Sequence, residues 1–386
     1  VNTHRVSSTS KLLFVTNDFG PRAGGIETFI IGLIERLPKN QVIVYTSAQG
    51  DTSAYDAKWM SEFGVEVIRD RSKILLPTPR VARAVCKIAK RQRIQSVAFG
   101  AAAPLALLAP ALRRAGVMRI VAMTHGHEVW WAKIFPFNIA MRQIGNSVDV
   151  LTYLGEFTRS AISKSLSTRA RQSMVKIAPG IDIEYFRSID ATDLRKSLAL
   201  EFKKVIICVA RLVPRKGQDA LIEAMTQVLE HEPDAHLLLV GEGPYRNHLE
   251  SLVRKYRLEE SITFVGRIQY GELPQYLCVG DIFAMPTRSR FNGLEVEGLG
   301  IVYLEASACG LPVIAGSSGG APDAVIESVT GLIVDGNDRA EIAVAILKLL
   351  GDPARCADMG LAGRKWIIEA WRWEIWASEF RKVLQI

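Results

Sequence analysis

Asp-x-Asp occurs nowhere in the 386 residues, so the sequence lacks a paired-carboxylate handle for a divalent ion on a diphosphate. Cysteine is scarce: Cys86, Cys208, Cys278, Cys309 and Cys356 are scattered without metal-ligand spacing. That argues against a zinc cluster, and Cys208 and Cys309, each in an apolar run, read as reduced core residues of a cytosolic protein. Long hydrophobic runs are missing too. The longest stretch, 101–112, falls short of the ~18 residues of a membrane span and contains Pro104 and Pro110, so it reads as a buried helix or turn. Residues 1–10 hold no apolar signal core, and secretion is not indicated. There is no nucleic-acid recognition motif, no short-period repeat and no low-complexity tract.

What the chain does have is length and apolar content. At 48% hydrophobic residues it is not disordered in the main, and 386 residues exceed what one core usually serves. Strand-like runs occur at 12–16, 42–46, 65–68, 96–99, 120–123, 148–152 and 175–177, then at 205–209, 236–240, 262–265, 282–285, 313–315 and 332–334. Helical stretches separate most of them. This alternation predicts an α/β fold with two doubly wound parallel sheets. Pro179–Asp182 and the polar stretch to Lys204 mark the hinge, giving domains at 1–182 and 183–365 and a last helical segment at 366–386. In that segment Trp366, Trp373, Trp376, Phe380 and Val383 recur at helical spacing and read as packing residues.

Charge is unevenly divided. Residues 1–180 hold 25 Lys and Arg against 11 Asp and Glu, whereas residues 181–386 hold 23 against 29. The basic half suits an anionic surface or acceptor. Thr78 and Pro79 read as an N-cap and first helical residue; beyond them Arg80, Arg83, Lys87, Lys90 and Arg91 share one face, and Val81, Val85 and Ile88 another. A helix of this kind favours peripheral attachment to the inner face of the cell membrane, at about 1 kcal/mol per surface-proximal charge. The alternative is an ordinary solvated helix with its apolar face on the core.

The most informative segment is Glu297–Glu305, two carboxylates eight positions apart around a glycine break. Gly298 and Gly300 let backbone amides approach a ligand, and a helix opening near Ile301 aims unpaired N–H groups at the same place, which suits phosphate. Glu297 and Glu305 then accept from hydroxyls on either side, as a sugar nucleotide presents them. On one continuous helix the carboxylates would lie about 12 Å apart, beyond the roughly 5–9.5 Å of a glycosidase pair. The glycines allow a bend that leaves the glycosidase reading open, and solvated glutamates on a surface helix are the bland alternative. A cationic element supports the phosphate reading: the strand at 205–209 delivers Arg211 to its carboxyl end, Lys216 follows, and both suit a departing diphosphate. Arg215 reads as solvated. Val265, Arg267 and Ile268 can flank a base, and the 316–323 turn can close another side.

In the first half, Asp18 leaves the first strand, and Gly24 and Gly25 can open a helix carrying Glu27, Phe29 and Leu33. Such a turn can bind phosphate or merely permit tight packing; it has neither dinucleotide-binding spacing nor a P-loop ending. Thr124–Glu128 follows an apolar strand; His127 and Glu128 can orient the loop or the acceptor, and zinc is unattractive without further ligands. Trp130, Trp131, Phe135 and Phe137 read as an acyl-chain or membrane lip, or as core.

Taken together, Glu297-x7-Glu305, the Arg211/Lys216 pair, Gly24–Gly25 and Thr124–Glu128 resemble the retaining GT-B glycosyltransferases of family four, from Val15 to about Trp376. Within that family the chain is similar to GDP-mannose-dependent mannosyltransferases acting on phosphatidylinositol mannosides. The resemblance implies two Rossmann-like domains facing an interdomain cleft, with the last helix crossing back to the N-terminal domain. It implies retaining transfer of mannose from GDP-mannose to a phosphoinositide glycolipid, with no cofactor and no metal. Gly24 and Gly25 would approach the donor phosphate or acceptor, Asp18 the reacting sugars, and His125 the donor sugar. Arg211 and Lys216 would stabilise the departing diphosphate, Glu305 hold the ribose, and Glu297 with the amides of Gly298, Leu299, Gly300 and Ile301 hold the donor sugar. The departing phosphate would take the acceptor proton, since no covalent nucleophile stands close to His125. Leu299, Tyr303 and Asp323 depart from the residues frequent in the family, which leaves the donor less determined than the reaction class. A family-four enzyme with another donor or acceptor, a nucleotide-sugar epimerase, and a non-catalytic sugar-nucleotide sensor are the alternatives.

Overall fold

The computed structural model describes residues 11–22 and 24–386; residues 1–10, on which the signal-core reading rests, and Ala23 lie outside the described residues. The chain forms two compact units, one of residues up to Gly180 together with Trp373–Ile386, the other of Ile181–Arg372.

In the first unit β1 (Leu12–Thr16), β2 (Val42–Thr46), β3 (Glu66–Arg69), β4 (Ser96–Phe99), β5 (Arg119–Ala122), β6 (Val150–Tyr153) and β7 (Met174–Lys176) form one sheet in the order β3-β2-β1-β4-β5-β6-β7. In the second, β8 (Lys204–Val209), β9 (Ala235–Val240), β10 (Ile262–Gly266), β11 (Ile282–Met285), β12 (Val313–Gly316) and β13 (Gly331–Val334) follow the order β10-β9-β8-β11-β12-β13. All neighbours pair in parallel. Both faces of each sheet are covered by helices, so the strands are near-continuous apolar runs rather than alternating ones; every residue of β1 and of β9 is buried. The predicted α/β, doubly wound architecture is the observed one, and each predicted strand lies within two residues of its place.

Strand order reverses between β1 and β4 in one sheet and between β8 and β11 in the other, and at such a point connections leave in opposite directions and open a crevice at the carboxyl ends. Asp18 follows β1, His125 follows β5, Arg211 follows β8, and Glu297 lies in the connection after β11. The topology therefore explains why the segments singled out in sequence fall at strand ends.

The basic helix spans Pro79–Arg91, with the Thr78 hydroxyl accepting the Val81 N–H at 3.3 Å. Val81, Val85 and Ala89 are buried in the core, while Arg83, Lys87, Lys90 and Arg91 are exposed. Arg80 departs from the charged-face reading. Its guanidinium donates twice, at 2.7 Å each, to the buried Asp70 carboxylate, which it holds well below the usual range. The 101–112 stretch becomes a buried turn at Leu105–Leu108 and a short helix, Ala109–Arg114. Among the described residues no helix is long and apolar enough to cross a membrane.

Trp366 belongs to the Pro353–Ala370 helix of the second unit, whereas Trp373 starts the Trp373–Leu384 helix of the first. The Trp373 indole fills a slot made by two glycines: a Cβ on Gly32 would lie 2.3 Å from its ring, and one on Gly180 2.4 Å from its backbone. The Arg36 guanidinium covers the ring at 4.6 Å. Gly32→Ala overpacks this slot and is expected to cost about 1–3 kcal/mol, seen as a lower denaturant midpoint; an unchanged midpoint would contradict the slot.

Candidate active site

In the second unit the Ile301–Ala308 helix begins after Gly300, which adopts the left-handed conformation (φ +79°). A Cβ there would also meet the Tyr303 ring at 2.5 Å. Tyr303 is fully buried and donates its hydroxyl to the Met285 carbonyl at 2.6 Å, tying the first helical turn to the end of β11. Leu299 is buried as well, so both departures from the family pattern act on the support of the turn. Among the described residues no side chain caps this helix, so its first N–H groups are open to a hydrogen-bond acceptor.

Glu297 is buried, and its Oε2 accepts from Lys216 Nζ at 2.7 Å and Arg215 Nη1 at 2.9 Å. Burial alone would raise its pKa, but Lys216 and Arg215, with the Gly298 N–H, outweigh it and hold the carboxyl below its ordinary range. Both cations come from the Pro214–Lys216 turn after β8. That turn is pressed against the one after β11: Gly217 has φ +76°, and a Cβ on it would lie 1.9 Å from the Pro286 carbonyl oxygen. The Gly320 N–H donates to the Glu297 carbonyl at 2.8 Å, so the 316–323 turn lies on the Glu297–Gly298 backbone.

Arg215 is therefore not the solvated residue expected from sequence, because a buried carboxylate recruits it. Arg211, expected to pair with Lys216, is exposed, and its guanidinium has no partner among the described residues. Asp219, Tyr245 and Arg288 escaped sequence reading altogether. The Arg288 N–H donates to the Arg215 carbonyl at 2.9 Å, while its guanidinium and the Tyr245 hydroxyl donate to Asp219. Only an acidic residue in a helical first turn hinted at this brace. Val265, Arg267 and Ile268 stand at the end of β10, with Arg267 exposed, and make no hydrogen bond or ion pair to the Glu297–Glu305 segment among the described residues.

Glu305 is equally buried but receives no cation among the described residues, and burial pushes its carboxyl up to about 8. At neutral pH the two glutamates are in opposite states, Glu297 ionised and Glu305 protonated. A protonated carboxyl both donates and accepts, which suits a vicinal diol.

In the first unit the Gly25–Glu35 helix begins after Gly24. A Cβ on Gly24 would lie 2.3 Å from Glu27 Oε2, so this glycine makes room for a carboxylate folded back over the helix start, while Gly25 faces open space. Glu27 Oε1 accepts from Arg22 Nε at 2.7 Å. The Asp18 N–H donates to the Thr16 hydroxyl at 2.9 Å, and burial, reinforced by Glu27, raises the Asp18 carboxyl pKa.

His125 is buried and bonds through Nε2 to the Gly100 carbonyl, the residue that follows β4. A carbonyl only accepts, so Nε2 carries the proton; burial lowers the pKa, and the ring is neutral with Nδ1 free of its own hydrogen. Its edge meets Phe29 at 5.7 Å between centroids. Glu128 is fully buried: Oε2 accepts the His125 N–H at 2.9 Å, and Oε1 lies 3.2 Å from His127 Nε2. Of the two roles open to Glu128 in sequence, the geometry supports holding the loop over touching an acceptor. His127 is part-exposed and lies within electrostatic reach of Asp18.

Glu305 has a measurable signature. Its folded-state pKa lies above the unfolded value, so the folded state holds more protons, and its contribution to stability declines as pH rises from about 4.5 to about 8. Glu305→Gln removes that decline. The variant is expected to match the native protein at pH 5 and to have the higher unfolding midpoint at pH 8.5; an equal or lower midpoint at pH 8.5 would contradict the burial of an uncompensated acid.

Residues 23–185 match the family described as Glycosyltransferase Family 4, and residues 190–366 match Glycosyl transferases group 1. A GDP-mannose-dependent alpha-(1-6)-phosphatidylinositol monomannoside mannosyltransferase of Mycolicibacterium smegmatis is 42% identical over 97% of this chain and 98% of its own. A GDP-mannose-dependent monoacylated alpha-(1-6)-phosphatidylinositol monomannoside mannosyltransferase of Corynebacterium glutamicum is 42% identical over 98% of this chain and 99% of its own. Among solved structures, Anabaena HepE in complex with UDP superimposes with a TM-score of 0.82 at 21% identity, covering 97% of this chain and 99% of that one. At that identity the likeness concerns the fold, which is GT-B. The chain belongs to the glycosyltransferase family that includes these mannosyltransferases, built from a family 4 segment followed by a group 1 segment.

Proposed function

We propose that this chain transfers mannose from GDP-mannose to a phosphatidylinositol mannoside, with retention at the anomeric carbon, while attached to the inner face of the cell membrane. The observation that carries the choice of donor and acceptor is the near-full-length similarity to two enzymes that are named for them. The site geometry supports the chemistry. In the second unit the open helix start at Gly300 and the cations Lys216 and Arg215, with exposed Arg211, offset the charge of the departing GDP. These side chains supply the positive charge that an Asp-x-Asp site would obtain from a divalent ion. Glu305, protonated, engages the ribose diol, and Val265, Arg267 and Ile268 flank the base. Glu297 orders the amides from Gly298 to Ile301 around the donor sugar.

In the first unit Gly24 and Gly25 border the substrate, Gly24 admitting the Glu27 carboxylate that Arg22 pairs and Gly25 facing open space, and neutral His125 presents Nδ1 as an acceptor to a donor-sugar hydroxyl. Asp18 and His127 stand on the acceptor side. The bond to the departing phosphate breaks on the face where the acceptor oxygen arrives, and a phosphate oxygen takes the acceptor proton. The exposed Arg83, Lys87, Lys90 and Arg91 draw the unit to anionic lipid.

Incubation with radiolabelled GDP-mannose, UDP-glucose and UDP-galactose, each with and without phosphatidylinositol mannoside vesicles, tests the reading. Label is expected in the lipid from GDP-mannose alone, and NMR of the product is expected to show the donor's anomeric configuration. Isomerised sugar nucleotide without lipid, an inverted linkage, or binding without turnover would contradict it.

A further inference from the structure

The most exposed large apolar side chain among the described residues of the first unit, Phe135, lies where the helices Glu128–Lys133 and Phe137–Ser147 meet. Phe135 is 75% exposed and Ile139 58%, with Phe137 between them at 36%. Their neighbours Met141 and Ile144 are buried, so the exposure is confined to the corner. Its base is rigid: Phe137 packs edge-on against Trp130 and Trp131 at 4.9 and 5.0 Å, and Trp131 rests against the hydrophobic core. From Val129 to Val148 the sequence has no Asp or Glu, while Lys133 and Arg142 are exposed beside the aromatic residues.

We propose that this corner is a wedge that inserts among the acyl chains of an anionic bilayer and sets the depth at which the His125–Glu128 loop meets a lipid-linked acceptor. The composition identifies the occupant: aromatic and aliphatic side chains flanked by Lys133 and Arg142, in a segment from Val129 to Val148 that carries no carboxylate, match the interfacial zone of a membrane. The Pro79–Arg91 helix cannot take this part, because Val81, Val85 and Ala89 are committed to the core and leave it only electrostatic attraction. The linkage to the site is direct. Glu128 opens the helix that ends at Lys133, and its buried carboxylate holds the His125 loop, so roughly 8 Å of helix separates loop from wedge. An acceptor whose acyl chains stay in the bilayer presents its sugar at about that height. The inference rests on the proposed function for the nature of the acceptor, not for insertion itself.

The test uses the Phe135→Ser/Ile139→Ser double variant and vesicles of phosphatidylcholine with phosphatidylinositol. Both side chains are exposed, so the unfolding midpoint should be unchanged. Vesicle partitioning is expected to fall about tenfold or more, and quenching of tryptophan fluorescence by lipids brominated on their acyl chains, strong for the native protein, is expected to disappear. Activity on a deacylated, water-soluble acceptor should be unaffected, while KM for the lipid acceptor rises. Native-like partitioning and quenching in the variant would overturn the proposal. So would a variant that merely converts a self-associated native protein to monomers, since the corner would then join two copies. The vesicle arm contains neither donor nor acceptor, so insertion can be observed even if mannosyl transfer is not.

Discussion

A carboxylate shut away from water persists as a charge only where cations and hydrogen-bond donors reach it, and Glu297 is met by Lys216, Arg215 and the Gly298 N–H. Stranding it without a cation would cost about 3–5 kcal/mol. The consequence is positional. The triad binds the turn after β8 to the connection after β11, across the point where the strand order reverses, and so fixes the glycine turn that opens the Ile301–Ala308 helix. Close backbone approach at Gly217 is what lets those two meet, and at Gly320 what lets the 316–323 turn lie on Gly298.

The first unit solves the same problem with different groups. Its loop at the carboxyl end of β5 is held by Glu128, buried beneath it, and by the His125 ring anchored on the Gly100 carbonyl after β4. In both units a buried acid is spent on geometry, while Arg211 and Gly25 are exposed and His127 is partly so. Glu305 is the contrasting case, an acid without a cation among the described residues and therefore protonated at neutral pH. Such a group destabilises the folded protein as pH rises towards about 8.

Most of the fold was legible because strands covered on both faces are continuous apolar runs, and because ligand segments in doubly wound sheets follow strand ends. That logic placed Glu297, Lys216, His125 and the Gly300 turn in the connections that follow strands, as the structure has them. It failed wherever a residue's role depends on a neighbour distant in sequence. Arg215 looked solvated because its partner lies 82 positions away, and Arg80 looked like one of a row of surface charges because Asp70 had not been placed beside it. Glu128 read as a candidate contact for substrate because burial cannot be seen in a five-residue motif. Tyr303 stood out in sequence only as a departure from the family pattern, and its bond to the Met285 carbonyl within the core could not be read there.

The central claim is that the Glu297-bound cations form a diphosphate site. Calorimetric titration of GDP and GMP into the native protein and Lys216→Met tests it most directly, since Arg215 still covers Glu297 in the variant. The account predicts that GDP binds the native protein at least about tenfold tighter than GMP and that most of this preference is lost in Lys216→Met. A variant that keeps the full preference for GDP would contradict it.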